Sequence, residues 1–222
     1  MEKIDYRAHL EDLRSALSSQ KSLNTEDALN LMTEAMFACV MVVKDNLENQ
    51  GRGYENAKLA KELLGYANHL MQFEHPVDAV QNATMRMAEY LCDHPRLKLE
   101  LMCVQLSALH YIENREMHDL GITEDLRDEI TRYRRNIEAA DKGDFASIVN
   151  DGFLKKDPIE WTARWEEVID EVNEIVDARL SDCPRGMGFC FAYWSEKATV
   201  LREKFGIEWR SPSLMNPGVI FD

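Results

Sequence analysis

Residues 183 to 190 read Cys-Pro-Arg-Gly-Met-Gly-Phe-Cys, with Tyr193 and Trp194 just beyond and Trp209-Arg210 further on. Glycines beside an arginine at a helix start can aim backbone N–H groups and a guanidinium fork at a phosphate or carboxylate, and the helix dipole adds to the attraction. The segment therefore predicts an anion held by Arg185 and Gly186 beneath Trp194 or Trp209, with Tyr193 and Arg210 in the same ligand-binding set. The competing reading is structural: the glycines let a helix lie close to its neighbour, and Arg185 pairs with an acidic face. Cys183 and Cys190 stand seven positions apart, unlike the close spacing of zinc knuckles, and read as separate thiols. A catalytic cysteine would need a base, and no histidine follows His118.

Six histidines, His9, His69, His75, His94, His110 and His118, raise metal binding as a second chemistry. Helical di-iron sites need Glu-x-x-His and zincins need His-Glu-x-x-His, and neither pattern occurs. His118-Asp119, with His75 and His110 upstream, resembles the arrangement in all-helical HD-type phosphohydrolases. That resemblance implies a divalent metal on His75, His110, His118 and Asp119, as a minor alternative. In such enzymes the His-Asp pair ends an apolar helix, whereas here Glu113, Asn114, Arg115 and Glu116 precede it. No cofactor and no catalytic residue is assigned.

Arginines 127, 132, 134 and 135 surround Tyr133, but Glu124, Asp125, Asp128, Glu129 and Glu138 are interleaved, which describes a salt-bridged surface helix. Glu166, Glu167, Asp170, Glu171, Glu174 and Asp177 fall along one polar helix face and read as a solvated acidic stripe.

The elements that must position these groups are helices. Apolar residues recur three and four apart nearly everywhere, and this spacing predicts eight helices. The first runs from about Lys3 to Ser19 and the second follows an Asn24 cap. The third spans about Tyr54 to Phe73, and His75-Pro76 and His94-Pro95 open the fourth and fifth. The fifth, to about Leu120, carries apolar residues on two faces (Leu97, Leu101, Val104, Ala108; Leu99, Met102, Leu106, Leu109) and should be the central, most buried helix. The sixth ends near Ala140, Asp157-Pro158 caps the seventh, and the eighth runs from near Pro184 to Gly206, before an irregular tail.

The fold expected is therefore all-α: about eight helices in antiparallel hairpins, an irregular bundle or short helical array with the C-terminal tail packed on it. It forms one domain over 1–222, and 141–157 is where any subdivision would fall.

The bulk properties restrict function. Forty acidic residues against 26 basic ones give a net charge of −14, which disfavours nucleic acid and anionic membranes as partners. The longest apolar run, Ala35 to Val43, is too short to span a bilayer as a helix, and the charged N-terminal stretch lacks a signal's apolar core. Five cysteines without a CxxC pair fit a reducing cytoplasm and mostly buried thiols. Two function classes stand: a helical protein-interaction module offering an acidic or tail-lined surface to another protein, and a small-molecule or anion-binding protein, or enzyme, using residues 183–210.

Overall fold

The computed structural model describes residues 4–49, 51–150, 152 and 154–221. They form nine α-helices and, among the described residues, no strand. The all-α class follows from the three-and-four spacing of apolar residues. The chain divides into two compact units: residues 1–50, 55–92 and 97–131 form the first, and 51–54, 93–96 and 132–222 the second. The 141–157 segment lies wholly inside the second.

In the first unit, α1 (Tyr6–Ser18) is capped by Asp5, whose carboxylate accepts from the amides of Arg7 (3.0 Å) and Ala8 (3.1 Å). The expected start at Lys3 lies outside the described residues. Leu10, Leu13 and Leu17 form its buried stripe. Helix α2 (Glu26–Glu48) is capped by Thr25 rather than Asn24: the Thr25 backbone is extended and its hydroxyl accepts from the Ala28 amide. Glu26 and Asp27 then meet the positive end of the helix dipole. Helix α2 packs against α1, α3 (Asn56–Gln72) and α4 (Val77–Tyr90), burying Met32, Met36, Cys39 and Val43 among others.

Helix α5 (Pro95–Glu116) buries Leu97, Leu101, Met102, Ala108, Leu109 and Ile112, while Leu99, Val104 and Leu106 stay half-buried. Its second face is thus only partly covered, and α2 joins the first unit's helices as α5 was expected to do. Helix α6 (Ile122–Asp141) follows a turn at Gly121.

The second unit is built on α7 (Ala163–Arg179) and α8 (Phe189–Phe205), which pack on each other. Two caps in series move the start of α7 from the expected Pro158 to Ala163. Asp157 caps a 3₁₀ turn at Pro158–Trp161, and Thr162 then adopts an extended conformation and accepts from the Trp165 amide. Helix α8 likewise starts later than Pro184, because Gly188 at φ 82° holds a left-handed turn just before Phe189. Trp165, Val168, Ile169, Val172, Val176, Val200, Leu201, Ile207 and Trp209 make one core. The tail is not wholly irregular: Ser211 caps a short helix α9 (Pro212–Met215).

Candidate functional site

The core of the second unit contains charge. Lys197, on α8, is 5% exposed, and its ammonium lies 5.1 Å from the Trp165 ring centre and 5.5 Å from that of Trp209. A cation removed from water needs an anion, and Asp93, just before α5, supplies one at 3.0 Å. Asp93 also accepts from the Asn173 amide (3.3 Å), Asn173 accepts from the Tyr193 hydroxyl (3.1 Å), and the Trp165 indole N–H donates to the Asp93 carbonyl (2.9 Å). Burial alone would raise the pKa of the Asp93 carboxyl. The charge and hydrogen bond of Lys197 overcome that effect and hold it below the ordinary carboxylate range.

Around this pair other buried polar groups are hydrogen-bonded. The Trp209 indole donates to Glu160 (2.8 Å), whose carboxyl is raised by burial despite Lys156 and the indole hydrogen bond. His94 meets Asp170 at 2.9 Å, and Glu166 accepts from the Arg96 amide at 2.9 Å. The acidic stripe of α7 is therefore not simply solvated: Glu166, Asp170 and Asp177 hold partners within the unit, and Glu171 pairs with Lys204. These groups are held in place by their neighbours.

The residues singled out in the sequence fall in separate places. Arg185 pairs with Asp177 on α7 (3.1 Å) and lies over the Phe189 ring, 5.2 Å from its centre. Burial raises the Asp177 carboxyl more than the Arg185 hydrogen bond lowers it. Gly186 is exposed, and nothing lies within 4 Å of a Cβ placed on Gly186 or Gly188, so the glycines do not serve close helix packing. Gly188 serves the left-handed turn instead. Tyr193 is tied to Asn173 and Trp209 to Glu160, while Arg210 grips Asp157 through its amide (2.8 Å) and Nε (2.9 Å). Trp194 packs on the core and lines an open depression.

That depression is a groove of about 360 Å³ along α8. Phe191, Trp194, Ser195, Ala198, Thr199 and Arg202 form the α8 side, and Ser211, Ser213 and Leu214 the opposite wall. Phe191 stands edge-on to Trp194 at 5.6 Å, and Phe221 is also perpendicular to that indole at 5.1 Å. Leu214 is 70% exposed and Phe191 47%. Sequence reasoning missed Phe191, Arg202 and Leu214 as a group. The signal for the α8 part was there, since 191, 194, 198 and 202 fall on one helical face, but nothing local brings Leu214 across from it.

The metal alternative finds no assembled ligand set. Among the described residues no three His, Cys, Asp or Glu side chains are grouped to hold an ion. His75 lies 3.4 Å from Asn30, and His110 accepts from the Arg127 guanidinium at 3.1 Å. The five cysteines are free thiols, and only Cys39 is fully buried, which pushes its thiol up to about 12; Cys92 and Cys183 are exposed. No helix among the described residues is long and apolar enough to cross a membrane. Comparison with known proteins finds no matching family model, curated protein or solved structure.

Proposed function

We propose that this chain is a helical protein-interaction module and that the α8 groove is its docking surface. The observation that carries the reading is the contrast within the second unit. Its buried charges are paired with one another, while Phe191 and Leu214 are exposed beside the half-buried Trp194 around a preformed depression. Exposed apolar residues gathered in one place, rimmed by hydroxyls, favour an apolar partner surface, because each such side chain gains on leaving water. Aromatic anchors in a groove are also where binding energy concentrates.

The test is selection of a displayed random peptide library on the full chain, with Leu214→Glu and Trp194→Ala as controls. Enriched peptides are expected to carry apolar anchors and to lose at least about tenfold in affinity on either variant, equivalent to roughly 1.4 kcal/mol or more. Peptides that bind both variants as well as the parent chain would place docking elsewhere. A second reading, a small acidic ligand, is favoured by Arg202 and the hydroxyls of Ser195 and Thr199 beside the indole. Native mass spectrometry of the purified chain would reveal such a ligand as a retained mass that Arg202→Glu removes.

A further inference from the structure

The charges along the groove indicate what kind of segment it takes. On α7, α8 and the chain flanking them, Arg164 pairs with Glu167, Arg179 with Glu196, Arg185 with Asp177 and Arg210 with Asp157. Arg202 differs: it is exposed, lines the groove, and its guanidinium makes no hydrogen bond or ion pair among the described residues. In a chain with 40 acidic residues against 26 basic ones, an exposed arginine beside an apolar depression offers a charge complementary to an anionic occupant.

Spacing limits the size of that anion's carrier. Phe191 and Arg202 lie on one face of α8, and at 1.5 Å per residue they stand about 16 Å apart along the axis. An extended peptide covers that span in about five residues.

We infer that the groove binds a peptide segment of a partner protein, with an apolar or aromatic anchor against Phe191, Trp194 and Leu214 and an Asp, Glu or terminal carboxylate against Arg202. This rests on the interaction reading above and adds the chemistry of the occupant. The guanidinium would hold the carboxylate as a fork, and the anchor would sit between the indole and Leu214.

The experiment uses the full chain and the tightest peptide from the library, synthesised with a fluorophore and titrated by anisotropy. Changing the peptide's acidic residue to Gln, or Arg202→Glu in the chain, should each weaken binding about tenfold. Arg202→Glu with a peptide carrying Lys at the acidic position should recover most of it. Arg202 is exposed, so its variant should keep the helical circular dichroism spectrum, with a melting temperature only slightly lowered by a carboxylate in the last turn of α8. If binding needs Leu214 and Trp194 but ignores Arg202→Glu, the acidic occupant is wrong and the interaction reading survives. If no enriched peptide depends on Leu214 or Trp194, both are wrong. Phenylacetate alone binding as tightly as the peptide would replace the peptide with a small acid.

Discussion

A buried lysine lying against two indoles keeps its charge only if an anion reaches it, and Asp93 arrives from 104 positions away in the chain. No local pattern announces such a pair, which is why Asp93, Asn173 and Lys197 were invisible in the sequence while Trp165 and Trp209 stood out. The pair should respond asymmetrically to mutation. Asp93→Asn strands a buried ammonium; breaking a buried pair costs about 3–5 kcal/mol, discounted here to about 2–3 because the Asp93 side chain is 38% exposed. Lys197→Met should cost clearly less, since thioether and methylenes fill the space against the two rings and the part-exposed carboxylate keeps Asn173 and solvent. Urea denaturation of both variants checks the order. Glu160 gives a prediction of opposite character. Burial raises its carboxyl above the unfolded value near 4.3, so its contribution is full below that pH and is lost as pH rises through the folded value. Glu160→Gln keeps an acceptor for the Trp209 indole and should raise the melting temperature at pH 7 while changing little at pH 4. A variant less stable than the parent at pH 7 would contradict this.

At the scale of elements, the three-and-four spacing located most of the helices, because an amphipathic stripe is written locally. Their starts were harder to place wherever two capping residues compete. Asn24 and Thr25 are both good caps, and only backbone conformation chooses Thr25. Asp157 and Thr162 cap two successive segments, which apolar spacing alone does not separate. The exit from α8 is fixed by Gly206, at φ 67°, whose amide donates to the Arg202 carbonyl (3.2 Å) while Ile207 donates to Leu201 (3.0 Å). This turn sends the chain back towards Ser211 and Leu214, the groove's second wall. Nothing lies within 4 Å of a Cβ at Gly206, so Gly206→Ala should cost only the left-handed conformation, about 1–2 kcal/mol. Gly206→Asn should cost less, because asparagine visits that region more readily. Equal losses by thermal denaturation would mean that the site penalises bulk rather than conformation.

For the molecule as a whole, an excess of acid and an all-helical pattern were plain from composition and spacing, and they exclude a bilayer-spanning helix among the described residues. What composition cannot convey is the division of labour in the second unit, where the charges turn inward on one another and the apolar side chains of the groove face out. Arg185, Gly186, Tyr193, Trp194, Trp209 and Arg210 are close in sequence, yet Tyr193 and Trp194, which both touch the core, turn to Asn173 and to the groove respectively, and the tail carries Trp209 into the core. The four tryptophans now offer a direct readout. The indole N–H groups of Trp165 and Trp209 are bonded inside the unit, Trp161 is buried, and Trp194 lines the groove. Nitrogen–proton spectra of the labelled full chain, titrated with the selected acidic peptide, should move the indole signal that Trp194→Phe deletes and leave those of Trp165 and Trp209 in place. Movement of the Trp165 or Trp209 signals with that of Trp194 unchanged would contradict the account.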